Sequence, residues 1–343
     1  MKINFLQKQP AQEAPVLEGQ SLKEKFVRFY YNYTFLFSFA ALVVIATYFN
    51  PKFLTYGNLS LLLLQSTIKG IIACGMTLVI IAGMIDLSVG SMIALVGGLG
   101  VVVLNTTGSI WLMFVFCAVF GTVLGAVNGL LVTKARIAPF IVTLATMVAF
   151  RSIIVQLGQG GPFNVAPEVY DDFRLVAAGY LLRGGSFKGI PYMVIWFVGV
   201  VAVMAFIMSK TKFGRYVYAV GSNQIAARLT GINVDFVKTM CFVITGLLVG
   251  IAAFLLSSRL TSITAPNVGV SYELDAIAAV AIGGTAMIGG SGLILGTFIG
   301  AIMLQMIEGI LIAAQIPVFL NGLVKGIIII VAVVFQSRRE RKL

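Results

Sequence analysis

Apolar residues in this chain come in long unbroken runs, and the polar residues gather in the gaps between them. A bilayer core takes about 20 apolar residues per helix, so each run reads as a membrane span. The first is Tyr33–Phe49, broken by Asn50 and Pro51. Asn58–Thr67 reads as an interfacial helix or as the slanted start of a second span that Gly70–Ile85 completes. Leu87–Leu104, Ile110–Thr133, Pro139–Leu157, Met193–Ser209 and Thr239–Ser257 follow. Leu274–Gly289, Leu293–Ala314 and Val318–Phe335 close the series. The pattern predicts an all-α polytopic membrane protein of about ten transmembrane helices, with eight or nine as the alternatives left by the second and third runs.

Composition supports a bundle. Of the 343 residues, 59% are hydrophobic and 10% charged, whereas a soluble domain carries about a quarter charged residues. Thirty-seven glycines favour closely packed helices over a barrel, whose strands would alternate apolar and polar positions. The net charge of +12 does not point to nucleic acid, because the basic residues sit at the ends of apolar runs. Lys23, Lys25 and Arg28 precede the first run, Lys134 and Arg136 separate the fourth from the fifth, and Arg338, Arg339, Arg341 and Lys342 follow the last. With ten spans these clusters and both termini share the cytoplasmic side, and the insertion at 158–190, with Glu168, Asp171 and Asp172, faces outside. The domain division is a cytoplasmic tail at 1–32, a membrane domain at 33–336 and a basic cytoplasmic tail at 337–343. The N-terminal tail does not resemble a cleaved signal peptide.

Much chemistry is excluded. There is no histidine, which removes histidine acid–base work, the Ser–His–Asp triad and histidine-ligated metals. Cys74, Cys117 and Cys241 lie inside apolar runs without metal-ligand spacing and read as small buried hydrophobes. No GxxxxGK[ST] loop occurs, so any ATP hydrolysis belongs to another chain.

Four stretches stand out. Residues 210–238 are a basic loop with Lys210, Lys212, Arg215, Arg228 and Lys238 against one acid, Asp235. Within it Gln224–Leu229 can form a short amphipathic helix, with Asn223 as N-cap and Gly231 as C-terminal stop; the alternative is a basic loop held at anionic lipid. GMTLVIIAGMIDLSVGSMIAL at 75–95 places Asp86, Ser88, Gly90 and Ser91 between apolar runs. It reads as a cytoplasmic turn in which Asp86 caps the next helix, or as a pathway or gating element. GVSYELDAIAAVAIGGTAMIGGSG at 269–292 puts Glu273 and Asp275 at a helix N-terminus, where the dipole favours acids. Gly283, Gly284, Gly289, Gly290 and Gly292 then allow close packing or a broken helix. Arg151, Lys69, Glu308 and Lys325 are charges inside apolar runs whose partners the sequence does not assign.

In these stretches, and in IAPFIVTLATMVAFRS at 137–152, the chain resembles the membrane-spanning permease subunits of ribose-type carbohydrate ABC importers. The likeness runs in order from about Asn50 to Phe335. It implies a permease pairing with itself or a sister subunit in the bacterial inner membrane. It also implies an ABC ATP-binding subunit that uses ATP and Mg, and an outer sugar-binding protein. Membrane lipid is the remaining partner. No cofactor is expected on this chain. Carried over by position, Gly221, Asn223, Gln224, Ala226, Arg228, Gly231 and Ile232 fall on the segment that couples to the ATPase. Many relatives of this type have Glu-Ala after the asparagine, where this chain has Gln224-Ile225. Asp86, Ser88, Gly90, Ser91, Gly283 and Gly284 are the candidate pathway or gating residues. The competing reading is an ion-coupled secondary transporter using Asp86, Asp275 and Glu308; a membrane enzyme lacks a convincing catalytic cluster.

Overall fold

The computed structural model describes residues 34–182 and 189–317, with positions 320, 322–324, 326, 327 and 330 beyond. The expected tails at 1–32 and 337–343, Lys325 and most of the expected span Val318–Phe335 lie outside the described residues.

The chain folds as α1 (Thr34–Phe49), α2 (Tyr56–Ile81), α3 (Val89–Thr107), α4 (Ile110–Thr133) and α5 (Pro139–Leu157). An insertion follows: β1 (Pro162–Asn164), α6 (Pro167–Ala178), β2 (Tyr180–Leu181) and β3 (Ile190–Pro191). Then come α7 (Tyr192–Lys210), α8 (Lys212–Ser222), α9 (Gln224–Leu229), α10 (Val234–Leu260), β4 (Ser262–Thr264), α11 (Tyr272–Ile282) and α12 (Ile294–Ala313). Among the described residues, seven helices are long and apolar enough to cross a membrane: α2, α3, α4, α5, α7, α10 and α12. The apolar part of α1, Leu36–Phe49, is shorter.

One open alternative is decided and one expectation needs correction. The stretch at 58–67 is the start of the helix that continues through 70–81, α2, as one of its two readings had it, and this helix ends four residues before the expected Ile85; the polar side chains that punctuate it bond back to its own backbone. Ser66 donates to the Leu62 carbonyl, Thr67 to Leu63 and Thr77 to Ala73, which lets hydroxyls sit in an apolar helix. The expected span Leu274–Gly289 is not a span. Its helix, α11, stops after 11 residues at Ile282, too few at 1.5 Å each to cross about 30 Å of hydrocarbon. Its second half is apolar enough to pass as a span, but Gly284, Gly289 and Gly290 have left-handed backbone and the chain turns away. Smaller shifts follow the same logic: α10 begins at Val234 because Asn233 caps it through the Phe236 amide, five residues before the expected Thr239.

α2 is the central element: every residue from Ser66 to Ile81 except Lys69 is buried. Among the described residues α4 and α10 form the most extensive helix pairing. Gly121 and Gly125 on α4 lie against Gly246 and Gly250 on α10 so closely that a Cβ at any of them would strike backbone. Small residues four apart are how membrane helices approach without a hydrophobic drive. At one end of the bundle β1 pairs antiparallel with β4, Phe163 opposite Ile263, and β2 pairs with β3. The segment 210–238 lies at the other end, with Lys134 and Arg136.

Candidate functional site

The basic end is built from local signals. Thr211 caps α8 by accepting from the Gly214 amide. Asn223 ends α8 and caps α9, its Oδ1 accepting from the amides of Ile225 and Ala226 at 3.0 Å each. Gly231 (φ +83°) then turns the chain out of α9, a conformation that glycine adopts without cost. The short helix expected at Gln224–Leu229 is therefore present with its expected cap and stop, and the tight lead-in before it is itself a helix. Ile225, Arg228 and Leu229 are exposed on it. Gln224 accepts from Lys238 Nζ at 2.9 Å. Arg228 reaches Asp235 at 3.6 Å, with both side chains largely in solvent, so this pair contributes at most about 1 kcal/mol.

This segment does not hang free. Gly221 on α8 sits against the Ile81 carbonyl at the end of α2 and the Gly290 amide, where any Cβ would collide with backbone. The Gly290 amide donates to the same Ile81 carbonyl at 2.8 Å, and Tyr218 donates to the Gly292 carbonyl at 2.8 Å. Burial raises the Tyr218 pKa, which keeps that hydroxyl a donor. The loop between α11 and α12, the end of α2 and α8 thus meet at one junction. Gly283 and Gly284 open that loop, with Gly283 packed on the Gly296 backbone of α12.

The break between α2 and α3 faces the same junction. Gly83 lies against Gly289, and Gly90, at the start of α3, lies against the Gly269 carbonyl and the Glu273 carboxylate. Asp86 is fully buried, as is Ser88, and Ser91 nearly so. The expected turn between the two helices is therefore present but buried, and its capping part needs correction. Asp86 does not cap α3: its Oδ1 accepts from the amide and hydroxyl of Ser88, at 2.9 and 2.6 Å, and Ser88 precedes the helix. Asn128 of α4 donates to the Ser88 hydroxyl at 2.8 Å. Among the described residues no basic side chain forms an ion pair with Asp86.

Two constellations escaped the sequence. Lys69 of α2 contacts Asp275 of α11 at 2.8 Å and Glu308 of α12 at 2.7 Å. Asp275 does stand in the first turn of α11, so the dipole argument holds, but its main partner is a lysine 206 positions earlier. Two further polar pairs bind α2 to α12, Gln305 to Gln65 at 3.1 Å and Thr77 to Thr297 at 2.7 Å. Arg151 of α5 donates to the carbonyls of Ala265 and Val268 at 2.7 Å and of Gly90 at 3.3 Å. It holds the non-helical segment ahead of α11 against α3. The sequence signal for both was the presence of charges inside apolar runs; the pairing itself is tertiary.

Residues 58–333 match the family described as the branched-chain amino acid transport system / permease component. The chain belongs to this family. It is 38% identical to the ribose import permease protein RbsC of Haemophilus influenzae, over 88% of this chain and 92% of that protein. It is 41% identical to RbsC of Bacillus subtilis, over 87% and 90%. To the xylose transport system permease protein XylH of Escherichia coli K12 it is 33% identical, over 88% and 91%. No solved structure matches the chain. The relatives are named as permeases rather than enzymes, and a transport subunit in a multi-pass membrane protein agrees with the seven apolar helices.

Proposed function

We propose that the chain is the permease subunit of an ATP-driven ABC importer that moves a simple sugar, ribose or a related pentose or hexose, across a bacterial inner membrane. The observation that carries this is likeness to ribose import permeases over nearly nine-tenths of the chain. In this reading two permeases pair, α9 docks on an ATP-hydrolysing subunit that binds ATP and Mg, and a sugar-binding protein delivers cargo at the opposite face. The insertion carrying β1, α6 and β2, with the segment after β4, is the surface offered to that protein.

The geometry suggests how docking reaches the bundle. A shift of α8–α9 bears directly on the Ile81–Gly290 junction, because Gly221 leaves no slack there. That junction holds the end of α2 and the loop joining α11 to α12. Lys69 joins the same three helices deeper in the bundle. Movement at the coupling segment would thus change how α11 and α12 sit on α2, with Gly283, Gly284 and Gly90 as the places where the backbone yields. Asp86, Ser88 and Ser91 line the neighbouring break. Ion coupling is not favoured, since the relatives are sugar import and transport-system permeases; of its three candidate carboxylates, Asp275 and Glu308 are engaged by Lys69.

The test is purification of the tagged protein in mild detergent from its native membrane, beside a variant carrying Gly231→Pro and Arg228→Glu. An ATPase subunit that accompanies the wild type and is lost from the folded variant supports the reading. Solute transport by the protein alone in liposomes, with no ATPase ever accompanying it, refutes it.

A further inference from the structure

A second feature of the basic end is independent of what is transported. A polar cleft of about 680 Å³ opens between the α4–α5 turn and the start of α10, lined by Thr133, Arg136, Ile137, Arg228, Asp235 and Lys238 among others. Three cations face it and one carboxylate. Asp235 serves Arg228 at 3.6 Å, and among the described residues neither Arg136 nor Lys238 has an ion pair. Arg228 and Lys238 are near enough to repel one another. The hydrogen-bond partner of Lys238 is the neutral amide of Gln224, and the nearby Asp235, already paired with Arg228, is the one carboxylate set against the three cations of the cleft. Arg136 is held at the cleft in a left-handed backbone conformation, φ +56°, which a side-chain-bearing residue adopts only at a cost.

Position and surroundings identify the anion. The cleft lies where three membrane-spanning helices end or begin, α4 at Thr133, α5 at Pro139 and α10 at Val234. That is the level of lipid headgroups. Beside the cations stand exposed apolar side chains, Ile137 in the cleft and Phe140 on the first turn of α5. A free phosphate has no use for them, whereas a phospholipid sets its headgroup on cations and its chains on an apolar flank. We infer that this cleft binds the phosphate headgroup of an anionic phospholipid, bridging the coupling segment to the α4–α5 turn.

The test uses the full chain in detergent and in bilayer discs of phosphatidylcholine with added phosphatidylglycerol, with native mass spectrometry counting retained lipid. An Arg136→Gln, Lys238→Gln variant is expected to hold phosphatidylglycerol about thirty-fold more weakly than the wild type, because two cations no longer face the headgroup. Lys134→Gln, the same kind of charge change outside the cleft lining, is expected to keep it, and a thermal melt confirms that each variant is folded. Equal retention by the cleft variant and the wild type, or equal loss in Lys134→Gln, overturns the proposal. So does inorganic phosphate binding without lipid and with the same sensitivity to the cleft variant, which would make this a soluble-phosphate site. An Ile137→Cys probe separates the last alternative. Protection from maleimide by phosphatidylglycerol supports the inference, while protection only by the co-purified ATPase makes the cleft a protein contact and overturns it.

Discussion

Replacing Lys69 tests the largely buried charge cluster most directly. Lys69 Nζ lies 2.8 Å from Asp275 and 2.7 Å from Glu308, so the two carboxylate oxygens are at most about 5.5 Å apart. Without the lysine, two like charges at that separation repel by about 3 kcal/mol at an effective dielectric constant near 20. Removing one member of a buried ionic group typically costs about 3–5 kcal/mol, because the partner charge is left uncompensated. Lys69→Met keeps the length and the apolar stem, and should destabilise the protein by roughly that amount. Adding Asp275→Asn and Glu308→Gln to Lys69→Met removes the charges together, and should recover stability to within about 1–2 kcal/mol of the wild type. The assay is chemical unfolding in detergent, followed by tryptophan fluorescence, on all three proteins. Transport separates two roles. If the cluster is only structural glue, the triple variant transports normally; if helix movement exchanges Lys69 between the carboxylates, it is stable but slow. A Lys69→Met protein as stable as the wild type would refute the reasoning, and so would a triple variant less stable than the single one.

The remaining predictions address other parts of the same path. Gly221→Val puts a branched side chain into the Ile81 carbonyl and the Gly290 amide; overpacking of this kind costs about 1–3 kcal/mol, and sugar-stimulated ATP hydrolysis by the assembled complex should fall more than basal hydrolysis. Asn223→Ala removes two capping bonds from α9, about 1 kcal/mol, and should weaken ATPase co-purification without unfolding the bundle. Arg151→Met strands the carbonyls of Ala265, Val268 and Gly90, each charge-assisted bond being worth about 1.5–3 kcal/mol. A loss of at least about 3 kcal/mol is expected in the unfolding assay, with faster proteolysis near 265–271. Asp86→Asn keeps an oxygen for both Ser88 donors and removes a buried carboxyl without an ion-pair partner, so its unfolding midpoint should equal or exceed the wild type's.

What was legible in the sequence was what local chemistry decides. Ile110–Thr133 and Pro139–Leu157 were bounded correctly because Ser109 caps the first and proline opens the second. α9 was legible for the same reason, as an Asn cap and a Gly stop act within one turn. The span expected at 274–289 failed because hydropathy measures the solvent a segment can tolerate, not the path of its backbone. Ala-Met-Ile at 286–288 is as apolar as a helix core, yet it lies in a turn closed on itself by the Ala286–Ser291 and Gly289–Ala286 bonds and tied to α2 by the Gly290 amide on the Ile81 carbonyl. A non-helical backbone in an apolar setting is tolerated only where neighbouring protein satisfies it.

The charges were the harder case, and they matter most for mechanism. Lys69 and Glu308 stand 239 positions apart, so nothing within one run could reveal their pairing. Their cost in an apolar run was visible, however, and a buried charge without a local partner implies a distant one. The same inference applied to Asp86 leads elsewhere, because its donors are the amide and hydroxyl of Ser88, two residues on. One break in the bundle is therefore closed by neutral donors, and the other is braced by an ionic triad linking α2, α11 and α12. Lys69 bridges both carboxylates at once, at 2.8 and 2.7 Å, so it holds α11 and α12 together on α2, whereas the bonds of Asp86 stay within its own turn. Transport by the Lys69→Met, Asp275→Asn, Glu308→Gln variant therefore tests the brace between helices, and transport by Asp86→Asn tests the turn, as separate parts of the bundle.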